Sequence, residues 1–131
     1  MRKIFAISLL SLGLISVSFA ETKVNEIVCG TGIEERNIQN PSDTFKVEGD
    51  ITTIYCLSSI STDEAPTKVY HVWKYGDKEM AKVELNINVN SPSYRVWSSK
   101  KIIPQWVGEW KLEVQDANGN VLGEKSLKVE K

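Results

Sequence analysis

From residue 21 onward, apolar positions recur in short β-branched runs separated by turn residues, the pattern of strands rather than helices. "KVNEIVCG" reads as a first strand. A long connection follows, "TGIEERNIQNPSDTF", with a turn at Asn40-Pro41-Ser42-Asp43. "DITTIYCLSSI" is a second strand and "STDEAP" a polar loop. "TKVYHVWKY" is a third strand, closed by a turn at Gly76-Asp77, and "EMAKVELNINV" is a fourth. "NSPS" breaks the chain before "YRVWSSK". Pro104 interrupts "KIIPQW" ahead of "GEWKLEVQ". "DANGN" holds the Asn-Gly dipeptide of a tight hairpin, and "VLGEKSLKV" is the final strand. About seven short strands in such a length predict an all-β fold, an antiparallel two-sheet immunoglobulin-like sandwich. A small barrel is the alternative.

Alternation along each strand predicts which side chains share a face. Trp110, Leu112 and Val114 fall on one face of their strand, and Glu109, Lys111 and Glu113 on the other. Ala81, Val83, Leu85 and Ile87 form an inner face, with Lys82, Glu84 and Asn86 outward. In the third strand, a two-residue loop at Gly76-Asp77 pairs Tyr75 with Lys78 and sets Val72 opposite Ala81. Tyr70 and Val72 then face the core, and His71 and Trp73 face solvent. A shift of one residue reverses this. In "YRVWSSK", Arg95 shares a face with Trp97, opposite Tyr94 and Val96. Arginine is rarely buried without a partner, so the Arg95/Trp97 face is expected to be the outer one.

The first twenty residues change the picture of where the chain acts. Arg2 and Lys3 precede an apolar run ending in Ser18-Phe19-Ala20, the build of a secretory signal peptide. A retained anchor is the alternative, but the run is shorter than the roughly 20 apolar residues a spanning helix needs. Cleavage after Ala20 leaves a single domain over 21–131, addressed to the periplasm or the exterior, with no stable membrane span. That part has 131 − 20 = 111 residues and a net charge of 14 − 17 = −3. A mildly acidic domain lacks the basic footprint of a nucleic-acid binder. Cys29 and Cys56 are the only cysteines. In an exported chain an even count predicts a disulfide, with two buried free thiols as the alternative. Two cysteines and one histidine fall short of a four-ligand zinc set, so neither metal nor cofactor is expected.

If the third and fifth strands share a sheet, His71, Trp73, Arg95 and Trp97 form an exposed aromatic and basic platform, with Lys100 at its rim and Trp106 on the adjoining loop. Such a surface suits an envelope glycan or protein. Arginine–tryptophan stacking that only stiffens a sheet explains the same residues structurally. A small hydrolase using His71 as base is the third reading, although nothing marks a nucleophile elbow. Ser98-Ser99-Lys100-Lys101 matches S-x-x-K in form only, since it ends a strand and lacks companion motifs. Asp116-Ala117-Asn118-Gly119-Asn120 resembles the start of a calcium loop, but Leu127 stands where the bidentate glutamate belongs.

Taken together, "VCGTGIEERN", "YCLSSI", "HVWKYGDKEMAKVEL" and "YRVWSSKKIIPQWVGEWKLEVQDANGNVL" resemble the bacterial domain of unknown function 2914 family over nearly all of residues 21–131. The H-x-W, R-x-W-S-S-K and G-x-W elements, with a D-x-x-G turn, are specific in combination. The family pattern has proline shortly after the arginine of the first loop, where this chain has Asn37-Ile38 after Arg36. The resemblance implies a compact extracytoplasmic domain and carries over no catalytic residue. The reading is therefore an exported, non-catalytic binding module with His71, Trp73, Arg95, Trp97 and Lys100 as candidate ligand residues.

Overall fold

The computed structural model describes residues 21–131, so the expected signal peptide lies outside the described residues. Ten strands run in order: β1 (Thr22–Gly30), β2 (Gly32–Glu34), β3 (Asn37–Gln39), β4 (Thr44–Lys46), β5 (Thr52–Thr62), β6 (Thr67–Tyr75), β7 (Lys78–Ile87), β8 (Ser91–Ile102), β9 (Gly108–Gln115) and β10 (Val121–Glu130). They build a three-stranded sheet, β1-β5-β8, and a five-stranded sheet, β4-β10-β9-β6-β7. The pair β2-β3 forms a separate small hairpin. The two larger sheets make the expected immunoglobulin-like sandwich. All pairings are antiparallel except β4 with β10, which is parallel over Thr44–Lys46 and Lys128–Glu130.

Two apolar clusters fill the space between the sheets. One gathers Trp73, Trp110, Leu112, Ile54 and Ile102 around Cys29 and Cys56. The other gathers Ile60, Val69, Ile87, Val96 and Val114. Cys29 and Cys56 form the expected disulfide, joining directly opposed residues of β1 and β5. It lies within one sheet rather than between the two.

Pairing of β6 with β7 departs from the sequence expectation. The turn is as expected: Tyr75 opposes Lys78, and Gly76 takes φ +61° at the first loop position. A bulge then intervenes. Lys74 opposes Glu79 while Trp73 opposes Ala81, so Met80 is skipped. One extra residue on one strand reverses parity, as a longer loop would. Ala81, Val83, Leu85 and Ile87 still point inward, but their partners are Trp73, His71, Val69 and Thr67. His71 and Trp73 are therefore fully buried instead of facing solvent. Val72 is fully buried too, on the opposite face. It belongs to neither apolar cluster and is flanked in register by Lys82 and Glu113. The aliphatic stems of such residues cover apolar surface while their charges stay wet.

The "TGIEERNIQN" connection is more ordered than its sequence implies. Glu35 and Arg36, at φ +50° and +62°, make the tight turn of the β2-β3 hairpin. That hairpin folds back on β1. A Cβ at Gly30 would stand 2.2 Å from the Gln39 carbonyl oxygen, so only glycine permits this approach.

Candidate functional site

Two constellations draw together residues that carry chemistry, and they sit on opposite sides of the three-stranded sheet. The first is a polar network sealed between the sheets. β6 contributes His71 and Trp73, β5 contributes Ser58, and β8 contributes Ser98. Trp73 Nε1–H can only donate, and Ser98 Oγ accepts it at 3.1 Å. Ser98 Oγ also lies 2.6 Å from His71 Nδ1, and Ser58 Oγ lies 2.8 Å from His71 Nε2. With the imidazole proton on Nε2, the bonds run head to tail. Trp73 donates to Ser98, Ser98 to Nδ1, and Nε2–H to Ser58. Every buried nitrogen of the pair has a partner, which the low-dielectric interior demands.

A serine hydroxyl 2.6 Å from a histidine nitrogen has the spacing of a nucleophile and its base. Access decides against that role. His71 and Ser58 have no exposed surface, and Ser98 is buried against the Trp73 indole. A substrate would have to part the sheets to reach the imidazole. Burial also lowers the His71 pKa from 6.5 to about 4, because a charged ring there loses its water. The group stays neutral at ordinary pH and cross-links the two sheets through hydrogen bonds.

The second constellation is the outer face of the three-stranded sheet, where alternation predicted Arg95 and Trp97. Register sets side chains there in cross-strand rows. Val28, Leu57 and Trp97 form one row, and Glu26, Ser59 and Arg95 the next. The hairpin shields part of this face, and Leu57 is only 6 % exposed although it points away from both apolar clusters. Trp97, at the sheet edge, is 40 % exposed. Arg95 Nη1 donates to the Arg36 carbonyl at 3.0 Å and to Asn37 Oδ1 at 3.2 Å, holding the hairpin tip. Beneath the tip lies a groove of about 370 Å³, walled by Arg36, Asn37, Arg95 and Glu26 over a floor that includes Val28 and Leu57. Arg95 also borders a second depression of about 250 Å³ with Trp97, Tyr94 and Leu85.

Of the five residues expected on one platform, the structure keeps two together. His71 and Trp73 belong to the other sheet and to the interior. Lys100 shares parity with Ser98 and Ile102, the inward face of β8. Its Nζ sits 5.0 Å over the Trp106 ring. Trp106 in turn meets Trp110 edge-on at 6.4 Å, and its carbonyl accepts the Trp110 indole N–H. Lys100 and Trp106 thus close one end of the core. Arg36 was not expected at the site. Its signal was hidden in a stretch that reads as an irregular loop.

Charge is distributed unequally between the two outer faces. On the five-stranded sheet, Lys68 pairs with Glu84, Lys74 with Glu113 and Lys111 with Glu124, while Lys82 covers the Tyr70 ring. On the three-stranded sheet, neither Arg36 nor Arg95 has a carboxylate within 4.0 Å among the described residues. Glu26 is in the same row as Arg95 but two strands away, about 10 Å at the usual strand spacing.

Comparison with known proteins agrees with this architecture. Residues 66–129 match the model of the family described as protein of unknown function, DUF2914. This is the family the motifs resemble, matched over β6 to β10 and not over the earlier "VCGTGIEERN" and "YCLSSI" segments. An immunoglobulin-like protein from Pseudomonas aeruginosa superposes with a TM-score of 0.54 at 19% identity, covering 84% of this chain and 97% of its own. The CARDB domain of a Pyrococcus furiosus protein, solved in complex with di-metal ions, gives a TM-score of 0.48 at 12% identity, over 88% of this chain and 97% of its own. No curated protein matches the sequence. The strand arrangement and the likeness to the Pseudomonas aeruginosa protein together establish the immunoglobulin-like fold.

Proposed function

We propose that this protein is an exported, non-catalytic binding module that meets an envelope ligand, a glycan or a protein, through the outer face of its three-stranded sheet. One observation carries the reading: Trp97 lies 40 % exposed on the same strand face as Arg95, whose guanidinium has no carboxylate in contact among the described residues. Tryptophan and arginine are the side chains most enriched among the energetically dominant residues of binding surfaces. Export is supported by the leader-like residues 1–20 and by the Cys29–Cys56 disulfide, which belongs to oxidising compartments. Among the described residues no helix is long and apolar enough to cross a membrane.

The reading is tested by titrating tryptophan fluorescence of the purified protein with cell-wall glycan digests and envelope extracts. Saturable change is expected for the wild type, with marked loss in Trp97→Ala and Arg95→Ala. Equal response from all three proteins overturns the assignment of this face. The hydrolase alternative predicts turnover that disappears in His71→Ala. The sealed position of His71 argues against it.

A further inference from the structure

The groove under the hairpin tip has a chemical bias that the face as a whole does not. From it we infer that the ligand of the proposed binding face is a carboxylated saccharide, its acid group held between Arg36 and Arg95 and a sugar ring laid against Trp97. This assignment rests on the reading of that face as the binding surface.

Three features converge. Arg36 and Arg95 both line the 370 Å³ groove, and both lack a carboxylate partner among the described residues. Arg95 spends Nη1 on the hairpin, which fixes its plane and leaves its remaining N–H groups for an incoming acid. The Arg36 side chain has no hydrogen bond of its own among the described residues, since only its carbonyl is engaged. An anion accepting from two guanidinium groups gains more than from one, and the planar fork of arginine matches a carboxylate.

The second feature is the ring partner. Arg95 borders both depressions, the groove and the shallower hollow that Trp97 lines. A ligand with its acid on Arg95 therefore has its next atoms over Trp97, a flat and half-exposed surface. The third is polar lining. Ser59 Oγ and Ser93 Oγ are 2.8 Å apart in the groove wall, and Asn25 Nδ2 approaches Ser59 at 3.3 Å. Serine hydroxyls in the groove wall can exchange hydrogen bonds with sugar hydroxyls. An apolar peptide side chain has no hydrogen bond to exchange with them. Glu26, on the far wall, selects against a second acid at that end.

Isothermal titration calorimetry on the purified protein with tetragalacturonate, its neutral counterpart tetragalactose and a tetraglutamate peptide separates the possibilities. Tetragalacturonate is expected to bind at least about tenfold more tightly than either of the others, and Arg36→Asn is expected to weaken it by about tenfold or more. Asparagine suits the φ of +62° at this position and leaves the Arg36 carbonyl contact in place. Arg95→Gln should do the same, with its melting temperature recorded to separate lost binding from a loosened hairpin. Tetraglutamate binding as tightly as tetragalacturonate, no binding of tetragalacturonate, or an unchanged Arg36→Asn each overturns the inference. Neutral sugar binding that depends on Trp97 but not on Arg36 would remove the acidic assignment and keep the binding face. Envelope extract binding that ignores Trp97 would remove both.

Discussion

At the scale of single residues, His71 couples the stability of the molecule to pH. Its ring is neutral because burial lowers its pKa to about 4, against 6.5 unperturbed. Below pH 6.5 the unfolded chain takes up a proton that the folded chain refuses. Stability is therefore complete above that pH and falls as the pH drops towards 4. The shift of 2.5 units corresponds to about 3 kcal/mol. Urea unfolding between pH 7 and 4.5 should show most of this loss in the wild type and a much flatter profile in His71→Gln. Acidic groups enter the balance lower down. Burial works to raise the Glu113 pKa, but hydrogen bonds from Gln115 and Lys74 and the lysine charges outweigh it and leave it lowered. Its contribution is present above the ordinary glutamate range and is lost only at more acid pH. Ser98→Ala removes the acceptor for Trp73 and the donor for His71 together. About 2 kcal/mol of destabilisation is expected by thermal or urea unfolding, because two buried nitrogens lose a partner.

Among elements, the β2-β3 hairpin and the β6-β7 bulge matter most. Gly30→Ala would drive a methyl into the Gln39 carbonyl, so the hairpin must lift. A cost of roughly 1–3 kcal/mol is expected, with faster hydrogen exchange at the Thr31 amide, which donates to Gln39. The disulfide acts on β1 and β5, and replacing both cysteines by alanine should cost about 3 kcal/mol on the chain-entropy account. These elements also mark where sequence was legible. Trp110, Leu112 and Val114 alternate with charged residues, so their inward face could be read directly, and it is buried as expected. β6 could not be read that way. It is a central strand with Val72 buried on one face and Val69, His71 and Trp73 on the other, so its apolar pattern does not distinguish the faces. Its parity hung on the register to β7. The skipped Met80 has no local signature, since it is a β-competent residue in an otherwise regular run. Arg95 and Trp97 were legible because an arginine can rarely be buried. Arg36 was not, because Glu35 and Arg36 are unusual occupants of a turn that needs φ > 0 at both positions.

For the molecule as a whole, the two outer faces differ in kind. The five-stranded sheet presents a mixed, solvated face on which three lysines pair with glutamates. The three-stranded sheet presents an exposed indole, a groove and two guanidinium groups without a carboxylate partner among the described residues. The interior network ties the two sheets into one body. The motifs that carry the family resemblance divide along the same line. H-x-W is interior, while R-x-W-S-S-K places Arg95 and Trp97 outside and Ser98 within. The four tryptophans report on these regions separately, because Trp73 and Trp110 are sealed, Trp106 closes the core end and Trp97 alone faces solvent broadly. Indole N–H resonances followed by NMR during titration with an envelope glycan digest therefore test the account most directly. The Trp97 indole should shift together with the Arg36 and Arg95 amides, while Trp73 and Trp110 stay in place. Shifts confined to the five-stranded sheet, or to the Trp73 indole beside His71, would contradict it.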